Sequence, residues 1–263
     1  MTAPIGWDDP RTARAYERFC RRHSRYRVAN AALVAHARLS HGQQVLDVAA
    51  GTGRTTEVAL PLVGESGSVV CVEPAEAMRA VGERRLRDAR VTWTNALPES
   101  GAFDRVLCGA AIWQLAPLES AFERLSSLVG RGGALLFNIP ASYLLEADPP
   151  GGGADPFLLD LLALVQRSTE RVAADDAAPP PRSASEIDRL LALLDLRVER
   201  WSFTVRLSQI AYRDWLKIPP VSEGFLGGLA PDERDRRLDD AYRRADHRSW
   251  RMEGWLGWSA WRR

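Results

Sequence analysis

Short apolar runs alternate with amphipathic stretches along most of this 263-residue chain. Val45, Leu46 and Val48 form the apolar run of a buried parallel strand, and SVVCV (68–72) reads as a second. FDRVLCGAAIWQL (103–115) and LVGRGGALLFNIP (128–140) supply two more, with helix-period segments between. Strand–helix alternation predicts an α/β fold around a largely parallel sheet, with helices on both faces. Residues 9 to 39 read as two helices ahead of the first strand, a helical cap spanning 1–39; the core then occupies 40–141. An insertion over 142–184 follows, bordered by DPPGGGADP (148–156) and DDAAPPPRS (175–183), both loop compositions. Leu158, Leu161, Leu162 and Val165 lie between them at helical spacing, so a lid helix above the strand ends is expected. Ser185 is expected to cap the next helix, and LRVERWSFTVRL then alternates as a strand. The last unit, 185–263, carries a helical insertion at about 208–247 and closes on Trp250, Trp255, Trp258 and Trp261. Clustered tryptophans anchor sheet edges by their large area, with one or two available to line an acceptor pocket.

The turn after the first strand carries the most chemistry. In QVLDVAAGTGRTT (44–56) an acid, Asp47, ends an apolar strand, and Gly51 and Gly53 sit in the turn before a helix. Glycines tolerate positive φ and let the backbone approach a ligand, while Thr52, Thr55 and Thr56 are placed to cap the helix. A dinucleotide fingerprint would need a third glycine, and Thr56 fills that position. An acid ahead of the glycines repels a pyrophosphate and suits a ligand bearing an ammonium. A second acid, Glu73, ends the next strand about 20 residues on, where a carboxylate accepts hydrogen bonds from two ribose hydroxyls.

These motifs resemble the class I S-adenosylmethionine (SAM)-dependent methyltransferases, of the small-molecule, UbiE-like (type 11) kind. The resemblance implies a Rossmann-like seven-stranded sheet, mostly parallel with an antiparallel last strand, and SAM as cofactor. It implies that the loop from Asp47 through Ala49, Gly51 and Gly53 wraps the methionyl part, that Glu73 holds the ribose, and that Met78 lies near the adenine. Asn95-Ala96 stands where the family usually has Asp-Ala; the Asn95 amide oxygen and the Ala96 N–H are expected to read the adenine edge. Cys108-Gly109-Ala110 resembles the small-residue exit of the fourth strand, leaving room for the sulfonium. Trp113 follows, either as one wall of the transfer site or as packing. Gly132-Gly133 replaces the family's Pro-Gly-Gly turn.

Composition narrows the partners. The net charge of +1 supplies no long-range field toward nucleic acid or an anionic membrane. Three cysteines at unrelated spacings (Cys20, Cys71, Cys108) suit a reducing cytoplasm, no Cys/His spacing suggests a metal, and no apolar run approaches membrane-spanning length. Seven arginines (Arg11, Arg14, Arg18, Arg21, Arg22, Arg25, Arg27) load the N-terminal helices. They read as a solvated face; the sharper alternative is that Tyr16, Tyr26 or one arginine folds over the SAM carboxylate.

The expected reaction is methyl transfer to an O, N or C atom of a small, partly hydrophobic molecule of specialised metabolism, by a monomer or homodimer. Candidate bases are His23, Tyr143, Glu170 and His247. Two other readings share the motifs: SAM chemistry other than methyl transfer, such as a cyclisation, and a non-catalytic SAM-fold partner subunit.

Overall fold

The computed structural model describes residues 6–144, 183–226 and 229–262. The strands are β1 (Gln44–Val48), β2 (Ser68–Val72), β3 (Val91–Thr94), β4 (Phe103–Gly109), β5 (Val129–Pro140), β6 (Leu196–Ser208) and β7 (Trp250–Arg262). They form one seven-stranded sheet in the order β3-β2-β1-β4-β5-β7-β6. β3, β2, β1, β4 and β5 pair in parallel, and β7 runs antiparallel to both neighbours. The order reverses between the paired strands β1 and β4: from β1 the chain builds outward to β2 and β3, and from β4 the other way to β5. Ligands bind in open α/β sheets in the crevice outside the carboxyl ends at such a point.

Helices α1 (Pro10–Arg22) and α2 (Arg25–Ala37) precede the sheet, and α3 (Arg54–Val63), α4 (Glu76–Arg85) and α5 (Leu118–Ser127) connect its parallel strands. α6 (Ala184–Ala192) precedes β6, and α7 (Gln209–Leu216), α8 (Pro219–Leu226) and α9 (Pro231–Arg244) separate β6 from β7. Leu33, Val34 and Ala37 of α2 pack with Ala59, Leu60 and Val63 of α3 on one sheet face. Phe122 and Leu125 of α5 and Ile187 and Leu191 of α6 cover the other. The apolar strands are thus buried on both faces, as their near-continuous hydrophobic character requires.

Three local expectations change. α6 is capped by Ser183, not Ser185: the Ser183 hydroxyl accepts from the Glu186 N–H at 3.1 Å, the S-x-x-E arrangement of a capping box. Gly132-Gly133 does not precede strand five but lies within it. β5 bulges there, since Phe103 pairs with Val129 while Arg105 pairs with Ala134, and Gly132 takes φ +73°. The β6–β7 pair spans thirteen residues and is joined by three helices, so the closing tryptophan segment is one long strand. The expected lid helix, including Glu170, falls outside the described residues. Among the described residues, no helix is long and apolar enough to cross a membrane.

Candidate cofactor and acceptor site

The carboxyl ends of β1 and β2 build a cradle from backbone. After β1 the chain passes through positive φ at Ala49 (53°), Gly51 (58°) and Gly53 (79°) before entering α3. Glu73, at the end of β2 and buried, spans this cradle. Its Oε2 accepts from the Gly51 N–H at 2.7 Å and its Oε1 from the Ala75 N–H at 2.9 Å. One carboxylate therefore ties the glycine turn to the start of α4. Burial raises its pKa, opposed by the two backbone N–H donors and by Arg79. Each oxygen keeps lone-pair capacity for a ligand hydroxyl.

The two glycines have different work. A Cβ on Gly51 would stand 3.5 Å from the Met78 methyl, at ordinary contact, so this glycine faces Met78 across the cradle. A Cβ on Gly53 would stand 2.5 Å from Leu86 Cδ1 and 3.1 Å from the Trp93 ring, and the Gly53 N–H is spent on the Ala50 carbonyl at 2.8 Å. Gly53 closes the turn against α4 and β3; its amide is not offered to a ligand.

Asp47 also departs from expectation. It is 1% exposed, and its Oδ2 accepts from the Thr56 N–H (3.1 Å) and hydroxyl (2.6 Å). Thr56 is the third residue of α3, whose Gly53 cap has no side chain to offer. Asp47 thus caps α3 from the neighbouring strand, and the threonines placed for that role by sequence do not fill it. Asp47 Oδ1 is buried with no donor. Burial pushes the carboxyl up to about 7, against the Thr56 bonds.

Ala49 carries strain. An L-residue in the left-handed region costs roughly 1–2 kcal/mol, which glycine avoids. Ala49→Gly is expected to stabilise the fold by about 1 kcal/mol, read from the urea midpoint, offset in part by the greater freedom of the unfolded chain.

α1 straps the cradle from outside. Glu17 accepts from the Thr52 hydroxyl and from Arg54, whose Nη2 lies 2.5 Å away, and Arg85 bridges Glu17 and Glu57. Asp8 accepts from the Glu76 N–H at 2.7 Å, at the start of α4. Tyr16 packs with Met78, Ala75 and Ala13 on one side and with the aromatic cluster of Phe19, Tyr26 and Trp215 on the other. Burial raises its phenol pKa well above the ordinary value. Tyr16 and Met78 therefore pack together beside the cradle.

The exit of β4 is held by a residue the sequence reading missed. Ala110 sits at φ +53°, and its N–H donates to Asn138 Oδ1 at 2.8 Å. Asn138 is fully buried on β5 and donates from Nδ2 to the Ala29 carbonyl of α2 at 2.9 Å. An asparagine among Leu135, Leu136, Phe137 and Ile139 was the available signal: a lone amide in a buried strand must have partners. Cys108 departs from its expected place. Its side chain is 0% exposed in the sheet core beside Val106 and Ile112, and burial raises its thiol pKa strongly. It contributes small volume under the site, not a contact in it. Asn95 and Ala96 are exposed after β3, and the Ala96 N–H turns back to the Thr94 hydroxyl at 3.4 Å, so the adenine-edge donor is already weakly engaged.

Beyond the exit of β4, Trp113 stacks on Tyr143 with ring centroids 4.6 Å apart, which brings the exits of β4 and β5 together as one aromatic wall. Burial pushes the Tyr143 phenol up to about 12. His23 and His247 are not at the site. His23 Nε2 lies 2.9 Å from Asp214 Oδ2, linking α1 to α7. His247 is exposed, stacks on Tyr242 at 4.4 Å and meets that residue's carbonyl at 2.7 Å. Both imidazoles are committed to structural partners. Of the seven N-terminal arginines, six are exposed and Arg25 is buried. Among the described residues no group of His, Cys, Asp or Glu could hold a metal ion.

Comparison with known proteins agrees with this geometry. Residues 45–133 match the model of a methyltransferase domain. The ubiquinone/menaquinone biosynthesis C-methyltransferase UbiE of Coxiella burnetii is 30% identical over 126 residues, covering 43% of this chain and 50% of that protein. The Yersinia enterocolitica protein of the same name is 31% identical over 114 residues, covering 40% and 45%. The chain thus spans about half the length of the curated relatives it matches. Among solved structures, a putative methyltransferase from Bacillus halodurans superposes with TM-score 0.57 at 18% identity over 88% of this chain and 97% of that one. Phosphoethanolamine N-methyltransferase 2 of Haemonchus contortus, in complex with S-adenosyl-L-methionine, gives 0.54 at 17% identity over 89% and 52%. Sheet order, glycine cradle and strand-end acid all fit the methyltransferase domain that residues 45–133 match.

Proposed function

We propose that this protein transfers a methyl group from SAM to an O, N or C atom of a small, partly hydrophobic acceptor. The observation that carries the reading is the Glu73 bridge, a buried carboxylate spanning the glycine turn and the start of α4. The residues present fit the cofactor: Gly51 leaves room where a side chain would intrude, Glu73 retains acceptor capacity, and Asp47 Oδ1 is a buried acceptor without a donor. SAM, when bound, supplies a methyl carbon made electrophilic by its sulfonium. The chain's own part is positional. Glu73 and the turn fix the nucleoside end, Met78 and Tyr16 pack beside it, and the strap of α1 through Glu17 and Asp8 shields the cradle from water. Asn138 fixes the β4 exit, and Trp113 and Tyr143 wall the acceptor.

The curated relatives act in quinone biosynthesis by name, which supports a planar, ring-bearing acceptor over a peptide or nucleic acid. With both histidines committed elsewhere, Tyr143 is the remaining described candidate for holding the acceptor's proton. Its raised pKa keeps it neutral at physiological pH, so its role is to donate or orient a hydrogen bond rather than to act as a free base.

Titration calorimetry with SAM and S-adenosylhomocysteine tests the cofactor reading. Micromolar binding of both is expected, and Glu73→Gln is expected to weaken each by about 10- to 100-fold, since a neutral amide accepts less strongly and opposes the Gly51 N–H with its own donors. Unchanged affinity in that variant would remove Glu73 from the site.

A further inference from the structure

A buried ion pair stands behind the aromatic wall. Arg25, 1% exposed at the start of α2, donates from Nε and Nη2 to the two oxygens of Glu253 at 2.8 Å each. Glu253 Oε2 also accepts from the Trp255 indole N–H at 2.7 Å. The guanidinium is stacked by aromatic rings, 4.2 Å from the Trp215 centroid, 5.0 Å from Tyr26 and 5.1 Å from Trp255. Both oxygens of Glu253 are engaged, so the carboxylate's task is to orient the cation. The cation itself is not used up: its Nη1 has no hydrogen-bond partner among the described residues. The same is true of the Tyr143 hydroxyl.

The sheet brings these two groups to one place. Pro140, the last residue of β5, pairs with Trp255, so Glu253 extends β7 just beyond the end of β5, where the turn Ala141–Tyr143 packs on β7. Tyr143 stacks on Trp113, which follows the β4 exit. Tyr143 and Arg25 lie close enough for each to shift the other's titration. From the cradle outward, the order is β4 exit, aromatic wall, oriented cation.

A buried pair adds little net stability over apolar side chains of like volume, so stability alone does not account for it here. A guanidinium with one edge fixed by a carboxylate and a further nitrogen without a partner among the described residues is suited to a planar oxyanion. We propose that Arg25 binds an anionic oxygen, carboxylate or phenolate, of a planar aromatic acceptor lying on the Trp113–Tyr143 wall, with Glu253 as its positioning residue and Tyr143 as a second donor. The acceptor assignment rests on the methyltransferase reading; the anion site does not.

The test titrates the purified full chain, with and without S-adenosylhomocysteine, with 4-hydroxybenzoate against 4-hydroxybenzamide and with 4-nitrophenolate against 4-nitroanisole. At least one anion is expected to bind about tenfold tighter than its neutral partner. Which pair shows the preference tells carboxylate from phenolate. In R25M/E253L, which keeps the volume and leaves no orphaned charge, the preference is expected to fall below about twofold with the homocysteine nucleoside bound as before. Tyr143→Phe, which leaves the ion pair untouched, is expected to reduce it several-fold, by about one hydrogen bond. Absence of an anion preference in the wild type, its survival in R25M/E253L, or loss of nucleoside binding in that variant would each overturn the proposal. Failure of the wild type to bind the nucleoside while the anion preference holds would instead sink the methyltransferase reading and leave the anion site standing.

Discussion

Gly51→Val is expected to lose SAM affinity by at least about 100-fold, roughly 3 kcal/mol, while the fold survives. The residue sits at φ +58°, where a β-branched side chain is a severe outlier. Its Cβ alone meets only the Met78 methyl at 3.5 Å, so the damage comes from the γ branches and from the turn relaxing away from strain. That relaxation pulls the Gly51 N–H off Glu73 and loosens the acid that fixes the nucleoside end. Gly51→Ala separates the two effects: with no γ branch it carries only the left-handed penalty of about 1–2 kcal/mol, and it should bind SAM weakly but measurably. Gly53→Ala is the contrast. Its Cβ would drive into Leu86 and Trp93, so stability falls first and affinity follows it. Thermal midpoints and calorimetric titration of the three variants distinguish these outcomes. A Gly51→Val protein that binds SAM as the wild type does would place the cofactor elsewhere.

The contrast between Gly51 and Gly53 shows how far the sequence carries. The strand and helix alternation, glycine turn, strand-end Glu73 and N-terminal helices follow from local patterns: apolar runs, φ-permissive residues and loop punctuation. All the information for those lies within a few residues of each element. Which glycine faces the cleft depends on Leu86 and Trp93, which lie 33 and 40 residues away in the chain, and no spacing rule reaches them. Asp47 is legible as an acid at a strand end, yet its capping of Thr56 follows from Gly53 having no side chain, a relation visible only once β1 and α3 are placed. His23 looks as available as any histidine until α7 brings Asp214 against it. Arg25 is one of seven similar arginines in sequence; burial by residues about 190 to 230 positions later singles it out. The glycine turn and its strand-end acid come from local patterns and are legible; the Arg25–Glu253 pair comes from the meeting of α2 and β7 and is not.

Removing the Arg25 charge alone is expected to be among the most destabilising single changes in the chain, and removing its partner too is expected to repair most of the loss. Arg25→Met fills a similar space against Trp215, Tyr26 and Trp255 but leaves Glu253, 6% exposed, with only the Trp255 indole and no cation. Breaking a buried pair in this way costs about 3–5 kcal/mol, because the remaining charge is desolvated and unpaired. In the wild type burial opposes the guanidinium charge, but Glu253 more than compensates, and the Arg25 pKa is raised above its ordinary value. In R25M/E253L neither charge is buried, and a stability within about 1–2 kcal/mol of wild type is expected. The single variant carries a pH signature that a packing defect would not. With its cation gone, Glu253 is favoured in its protonated form, so the folded state binds a proton that the unfolded state releases above about pH 4.3. By linkage, stability then declines as pH rises above that value and levels off once the folded-state group ionises as well. Urea midpoints at pH 5 and pH 8 should therefore differ more for Arg25→Met than for either the wild type or R25M/E253L. Equal losses at both pH values, or a double variant as unstable as the single one, would mean that Arg25 acts by volume alone, and its charge would have no part in holding the acceptor side of the site.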